Sequence, residues 1–318
     1  MRRLLVVSLL ALLVPVASAG TAASRPVAIV VAETANRVFA VSLGPHGGRV
    51  LKSVRVVDPL MVAAPLHGPA VVLSPSTDTV HLLAWHSLST IKVFRGFRDP
   101  EVARIAPGDR YAYVNDNTTG ELTVIDLARE RIVARRYVGA GAHHMDFSPD
   151  GRRLWIALSE VATTVVRLDT SDLQHPRIVG RLHPRFPAHS VGFAPDGRTV
   201  WLSSARARWV MVYSATTGRL VKLIPAGKAP QEVAFSGARA LLTSGYGSSI
   251  EAVLWRTYRR LGTVPLPYGS FNLATYDGMV VTASLLTGKV TELKGSTLHR
   301  FWTVKVATET RYVAISLW

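Results

Sequence analysis

A short motif recurs along this chain at intervals of roughly forty residues, and that period restricts the fold more than any other feature. The clearest copies are Phe147-Ser-Pro-Asp-Gly151 and Phe193-Ala-Pro-Asp-Gly197. Weaker copies begin at Leu73, Ile105, Phe235 and Leu273, so that neighbouring copies lie 32 to 46 residues apart. A period of this length, filled with short strands, is typical of a β-propeller, in which each repeat forms one blade.

The residues between two copies of the motif alternate between apolar and polar over short runs. From Tyr111 to Gly151 we predict strands over 111–115, 121–127, 132–138 and 144–147, separated by Asn, Gly and Pro-Asp-Gly turn signals. Four short strands per repeat predict four-stranded antiparallel blades.

The same residues carry a resemblance to a known family. YVNDNTTGELTVIDL, followed by FSPDGRRLWIAL, resembles the repeats of YVTN-type propellers, which include secreted and surface-layer proteins. The match covers the chain after its first residues and is best from about Glu101 to Gly245. The resemblance implies a propeller but leaves the function open, because this fold carries enzymes, binding proteins and scaffolds alike.

The two ends of the chain predict how the ring closes. Residues 25–33, 36–42 and 49–57 have the pattern of the second, third and fourth strands of a blade whose first strand is missing. The run from Arg311 to Leu317 supplies that strand at the other end of the chain. With this closure we predict an all-β, seven-bladed propeller, whose six other units begin near Leu66, Asp99, Ala140, His183, Ala226 and Pro265.

The N-terminus has the pattern of a secretory signal peptide. Arg2 and Arg3 precede an apolar run and the small residues Ala17-Ser18-Ala19. We therefore assign residues 1–19 to the signal and 20–318 to one propeller domain, and predict a secreted, periplasmic or cell-envelope location. The chain contains no cysteine, so disulfides do not contribute to its stability.

The net charge of +16, of which Arg2 and Arg3 supply two, favours anionic partners. Cell-envelope polymers, lipid head groups and nucleic acid all fit this charge, as does the simpler explanation of a genome that uses arginine freely. The densest basic cluster surrounds Arg135 and Arg136, which we predict as a polyanion-binding site. The alternative is that these charges protect the outer edge of a blade from pairing with another chain.

A ligand site is predicted at one mouth of the central channel. Equivalent positions in a ring of repeats face a common space, and the residues four positions before each motif are Pro69, Glu101, His143, His189, Gln231, Gly269 and Arg311. We predict Glu101, His143, His189, Gln231 and Arg311 as ligand-binding residues. The alternative for each histidine is a structural role, capping its strand.

Three functions stay open at this point. The first is a binding or interaction module for an anionic ligand or a protein partner, and we expect a monomer. The second is a lyase or lactonase-like enzyme with Glu101 and His143 as acid and base and Arg311 at the oxyanion, although no catalytic motif supports it. The third is an architectural envelope protein. No motif identifies a cofactor, and no metal is assigned, because alternation along the strand is expected to turn His144 away from His143.

Overall fold

The computed structural model of the protein describes residues 24–159 and 161–318, in which twenty-eight strands and one 3₁₀ turn (Pro75–Thr77) form. The predicted signal segment, residues 1–19, lies outside the described residues. The first fourteen strands are β1 (Pro26–Ala32), β2 (Arg37–Ser42), β3 (Val50–Arg55), β4 (Met61–Ala63), β5 (Ala70–Ser74), β6 (Thr79–Leu83), β7 (Thr90–Phe94), β8 (Pro100–Ile105), β9 (Tyr111–Asp116), β10 (Glu121–Asp126), β11 (Arg131–Tyr137), β12 (Ala142–Phe147), β13 (Arg153–Leu158) and β14 (Val165–Asp169). The remaining strands are β15 (Arg177–Leu182), β16 (Val191–Phe193), β17 (Thr199–Ser204), β18 (Trp209–Ser214), β19 (Leu220–Pro225), β20 (Val233–Ser236), β21 (Arg239–Ser244), β22 (Ser249–Leu254), β23 (Arg260–Pro265), β24 (Asn272–Tyr276), β25 (Met279–Ala283), β26 (Lys289–Lys294), β27 (His299–Lys305) and β28 (Val313–Leu317).

These strands form seven four-stranded antiparallel sheets arranged as the blades of a propeller, which confirms the predicted fold. Blade 1 consists of β28, β1, β2 and β3 in that order, and blades 2 to 7 follow as β4–β7, β8–β11, β12–β15, β16–β19, β20–β23 and β24–β27. The first strand of each blade contacts the first strand of the next, so these seven strands surround a central channel.

The ring closes where the two ends of the described chain meet. Strand β28 pairs with β1 from Pro26–Leu317 to Val30–Val313, and the Arg25 amide donates to the Trp318 carbonyl at 2.6 Å. Strand β28 also contacts β4 and β24 on its two sides. The predicted joining of the C-terminal strand to the N-terminal blade is therefore confirmed.

In blades 4, 5 and 6 the aromatic residue of the motif packs against the blade before it. Phe147 packs edge-on against Tyr113 at 4.8 Å between ring centroids, and Phe193 packs in the same way against Trp155 at 6.1 Å. Phe235 repeats the contact against Trp201 at 5.7 Å. The apolar position of the motif thus fills the interface between blades, where edge-to-face aromatic pairs are favourable.

Two assignments of the repeat need correction. Leu73 lies in the second strand of its blade, β5, where it pairs with Met61 of β4, so blade 2 begins at Met61 and not near Leu66. Phe235 and Thr275 each stand one residue before the end of the first strand of their blade, where they pair with Ala240 and Val280. The residue of blade 7 that is equivalent to Phe235 is therefore Thr275, two positions after Leu273. Both errors arose because the motif is weakest in these two blades, which have no Pro-Asp-Gly turn.

Among residues 24–159 and 161–318 no helix has the length and apolar character needed to cross a membrane.

Candidate functional site

The predicted site residues occupy one recurring irregularity, a bulge at the start of the first strand of a blade. In β8 the register shifts between Pro100 and Val102, and in β12 it shifts between Ala142 and Met145. Glu101 and His143 are the extra residues at these two shifts. We call the end of the channel where these bulges lie the front mouth.

The same bulge recurs in three other blades. The Ser203 carbonyl accepts from the His189 amide, and the Ser203 amide donates to the Ser190 carbonyl. Two residues, His189 and Ser190, therefore lie opposite the single residue Ser203. The peptide of Thr243 does the same with Gln231 and Glu232, and that of Val31 with Arg311 and Tyr312. A bulge re-aims the side chain at the position where it occurs. All five predicted ligand-binding residues therefore hold equivalent positions at the front mouth.

Side chains of the preceding blade hold the carbonyl groups of the bulges. The Asn115 amide donates to the His143 carbonyl at 2.6 Å, and the Ser203 hydroxyl donates to the Gln231 carbonyl at 2.5 Å. The Thr243 hydroxyl donates in the same way to the carbonyl of Phe271. Phe271, not Gly269, thus takes the bulge position of blade 7.

Two of the predicted residues touch each other directly. Nε2 of His143 lies 2.6 Å from a carboxylate oxygen of Glu101, and the two side chains are 7% and 26% exposed. The other ring nitrogen of His143, Nδ1, is buried and has no hydrogen-bond partner within the described ranges. The bulges of consecutive blades therefore produce a mostly buried carboxylate–imidazole pair.

The expectation that His144 turns away from His143 is wrong. The bulge in β12 breaks the alternation of side chains, so the two rings lie edge to face with centroids 4.3 Å apart. The ring of His144 also lies 4.8 Å from that of His189. The pKa of His144 lies well below its ordinary value, mainly because the ring is buried. The charges of His143, His189 and Arg104 lower this pKa further. His144 is therefore neutral near pH 7.

The front mouth opens into a cavity of about 270 Å³, which we call the front cavity. His189, Gln231 and Arg311 line it, whereas Glu101 and His143 do not. His144, Arg206, Tyr246, Phe271 and Tyr312 are further lining residues. Of these, Arg206 and Tyr246 come from turns between second and third strands, so counting back from the motif could not find them.

The two arginines of the front cavity differ in their partners. Arg311 forms an ion pair with Glu33 at 2.8 Å. The guanidinium group of Arg206 is exposed and forms no ion pair or hydrogen bond with any residue that the structure describes. The front cavity therefore has one arginine whose charge is already paired and one whose donors are available.

Charged side chains of the channel line a second cavity next to the front cavity. Arg104 of blade 3 reaches across the channel to Glu232 of blade 6, at 3.4 Å, and Tyr312 lines both cavities. Burial raises the pKa of Glu232 to about 7, against the opposing effect of Arg104, and raises that of Asp146 to about 6.

This second cavity, the rear cavity, has a volume of about 380 Å³, and its wall includes Ala234, Ala274 and Ala314 beside Arg104, Asp146 and Glu232. Across residues 24–159 and 161–318, no group of three or more His, Asp or Glu side chains is arranged to hold a metal ion.

Arg135 and Arg136 lie on β11, the outer strand of blade 3 and the strand of that blade farthest from the channel. Arg135 donates to the Gly96 carbonyl at 2.9 Å and pairs with Glu121 at 3.3 Å, and Arg136 donates to the Pro176 carbonyl at 3.2 Å. The hydrogen bonds to Gly96 and Pro176 link the outer strand of blade 3 to chain segments next to both neighbouring blades. Polyanion binding by Arg135 and Arg136 stays a prediction.

Comparison with known proteins supports the fold alone. No protein-family model and no curated protein sequence matches the chain, so membership of the YVTN-type family stays a prediction. A functionally unknown protein from Desulfotomaculum acetoxidans DSM 771 has a similar structure, with a TM-score of 0.77 and 14% identity over 91% of this chain and 98% of that one. Kuenenia stuttgartiensis hydrazine synthase is also similar, with a TM-score of 0.64 and 15% identity over 75% of this chain and 77% of that one.

Proposed function

We propose that this protein is a binding propeller that takes a small organic anion into the front cavity. The observation that carries the proposal is the exposed guanidinium of Arg206, which has no partner in the described chain and lines the cavity together with Arg311. An arginine with free donors is suited to bind a carboxylate or a phosphate through two parallel hydrogen bonds.

The uncharged groups of the cavity fit the same ligand. His144 is neutral, and a neutral imidazole offers one N–H donor without adding charge. The side-chain amide of Gln231 offers further donors. The cavity of about 270 Å³ is a little below the usual range of small-molecule pockets, roughly 300–1,000 Å³. We therefore expect a ligand of metabolite size and not a polymer inside the cavity.

Calorimetric titration with a set of organic anions tests this function. The set contains succinate, phenyl phosphate, benzoate and cyclohexanecarboxylate, titrated into residues 20–318. We expect at least one of them to bind, with an affinity that falls when the salt concentration is raised about tenfold. Loss of a hydrogen bond to a charged group costs about 1.5–3 kcal/mol, so Arg206→Gln should weaken binding about tenfold or more.

A matched control lies on the same blade. Arg198 is exposed at the opposite end of β17, and its guanidinium has no partner among the described residues. Arg198→Gln removes the same charge from the protein and should leave the affinity unchanged. Equal effects of the two substitutions would show that net charge attracts the anion and would contradict a site in the front cavity. The absence of binding by every anion would favour an architectural role instead.

A second candidate function rests on the 2.6 Å contact between Glu101 and His143. A carboxylate that orients an imidazole is a common arrangement for acid–base chemistry, as in a lyase or a lactonase. Arg311, considered for the oxyanion, is engaged by Glu33 and lines the front cavity, which Glu101 and His143 do not line.

Turnover of a panel of lactones and cyclic esters tests this activity, and Glu101→Gln should abolish any turnover found. If no compound is turned over, or if Glu101→Gln keeps the full rate, the pair has a structural role only.

We propose that the protein is located in the cell envelope or is secreted from the cell. Its support is the pattern of residues 1–19, with two arginines, an apolar run and a small-residue cleavage site. Cell fractionation and mass spectrometry of the recovered N-terminus test it. An intact Met1 on cytosolic protein would overturn the assignment.

A further inference from the structure

Three aromatic side chains, Tyr246, Tyr268 and Phe271, form a cluster that we call the aromatic rim. Tyr246 and Phe271 line the front cavity, and Tyr268 lies beside Tyr246. The ring of Tyr246 packs edge to face on Phe271 at 4.8 Å and lies 6.3 Å from Tyr268. Tyr246 is nevertheless 68% exposed and Tyr268 is 48% exposed. Large aromatic surfaces that stay open to water beside a cavity commonly mark a binding site.

The backbone holds the aromatic rim in place. The Gly245 carbonyl accepts from the amides of Ser248 and Gly269, which ties the turn of blade 6 to the chain leading into blade 7. A Cβ at Gly245 would overlap the ring of Phe271, so glycine is needed for this close approach. Lys228 donates to the Gly247 carbonyl on the other side of Tyr246. The exposed ring is therefore presented by a fixed turn.

Charge and aromatic surface meet in this one cavity. Arg206 and Arg311 line it together with Tyr246 and Phe271. A ligand held by its anionic group at Arg206 would extend its remaining atoms toward the aromatic rim. Aromatic rings attract one another beyond the burial of their surface, because the edge of one ring is attracted to the face of another.

We infer that the ligand of the front cavity is an aromatic carboxylate, with its ring against Tyr246 and its carboxylate at Arg206. This inference rests on the proposed function and adds the chemical class of the ligand. The cavity volume of about 270 Å³ limits the ligand to one or two fused rings.

Benzoate and cyclohexanecarboxylate form a matched pair of probes, because they share charge and nearly share size but only benzoate has an aromatic ring. 2-Naphthoate extends the aromatic surface. In calorimetric titrations of residues 20–318 we expect benzoate to bind about three- to tenfold more tightly than cyclohexanecarboxylate, with 2-naphthoate at least as tight.

Substitution at Tyr246 tests whether this side chain produces the preference for benzoate over cyclohexanecarboxylate. Tyr246→Leu keeps an apolar side chain and should reduce the preference for benzoate to less than about twofold, while Tyr246→Phe should retain it. The side chain is mostly exposed, so both variants should fold, and thermal unfolding checks this. Equal binding of the two probes by the natural protein, or an undiminished preference in Tyr246→Leu, would overturn the inference.

The failure of the inference and the failure of the proposed function give different results. If Arg206→Gln weakens both probes but neither is preferred, the cavity binds anions and only the aromatic class is wrong. If succinate or phenyl phosphate binds and the three carboxylates with rings do not, the aromatic class is again wrong. If Arg206→Gln changes nothing, the proposed function itself fails.

Discussion

The front mouth and the rear part of the channel are built from the same seven blades, yet their side chains are arranged differently. At the front mouth the first strands, or the residues directly before them, carry Glu101, His143, His189 and Arg311. A few residues further along the same chain segments, the wall of the rear cavity combines apolar side chains such as Ala234, Ala274 and Ala314 with the charged groups Arg104, Asp146 and Glu232. The difference coincides with a change in strand pairing, which is irregular at the front and regular behind it.

This comparison shows how a repeat fold gains a site. Where the ladder is regular, alternate residues face the channel, and small side chains allow seven strands to approach closely. Where a bulge interrupts the ladder, long polar side chains reach the mouth, and neighbours such as His143 and His144 lie side by side.

Removal of residues 313–318 should have the largest effect, because both mouths depend on strand β28. Val313, Ile315 and Leu317 are buried, and burial of each such side chain contributes about 1.5–3 kcal/mol. We expect the truncated protein to lose about 5 kcal/mol or more of stability and to unfold without a cooperative transition. Circular dichroism during heating measures this.

A circular permutant serves as the control. The Arg25 amide and the Trp318 carbonyl are hydrogen-bonded, so a short glycine linker can join the two ends. New ends placed at the exposed turn between Thr216 and Thr217 would leave β28 next to β1 in the chain. This permutant should melt cooperatively, and a cooperative transition in the truncated protein would contradict the role given to β28.

The buried charged groups of the rear cavity should give a pH-dependent stability. The pKa of Glu232 is about 7 in the folded protein against an ordinary 4.5, so the folded state holds this proton more tightly. The stability contributed by the proton is fully present below about pH 4.5 and is lost as the pH rises through about 7. Glu232→Gln should therefore gain roughly 1–3 kcal/mol relative to the natural protein between about pH 4.5 and about pH 8.

Urea unfolding at several pH values measures this difference, and subtraction of the two curves removes the contribution of His144. His144 acts in the opposite direction, because its lowered pKa costs stability as the pH falls. Asp146→Asn should show the same sign as Glu232→Gln, since the pKa of Asp146 is also raised. Parallel curves for Glu232→Gln and the natural protein would contradict the burial of this charge.

The bulge at His143 should depend on a single side-chain bond. Asn115 is fully buried and donates to the His143 carbonyl, so Asn115→Ala leaves a buried carbonyl without that donor. The expected loss is about 1–3 kcal/mol in the free energy of unfolding. Asn117→Ala, two residues along, removes a bond to Asp99 in the partly buried turn and should cost less than about 1 kcal/mol. Equal losses would show that the bulge does not need Asn115.

The smallest effect is expected on the outer surface at Arg135 and Arg136. If these residues bind a polyanion, reversal of both charges should lower the salt concentration at which the protein elutes from heparin. The matched control reverses Arg152 and Arg198, which changes the net charge equally at exposed turns of blades 4 and 5. Identical elution of the two double variants would assign Arg135 and Arg136 only their contacts with the neighbouring blades.

The sequence predicted the fold because each blade repeats its own local signals. The alternation in β9 to β12, the Pro-Asp-Gly turns and the matching ends of the chain sufficed for seven blades and their closure. It also predicted that Glu101, His143, His189, Gln231 and Arg311 hold equivalent positions. It failed for blades 2 and 7, which have no Pro-Asp-Gly turn to mark the register of their first strands.

What the sequence alone determined is the repeat, and with it the ring, because turn residues and apolar alternation act over a few neighbouring positions. Only the tertiary structure decided which side chains share a cavity. The bulge that brings His144 beside His143, the ion pair of Arg104 with Glu232 and the meeting of Arg206 with the aromatic rim all join residues from different blades or break the alternation. Such contacts depend on the packing of complete blades around the channel, and no local pattern records that packing.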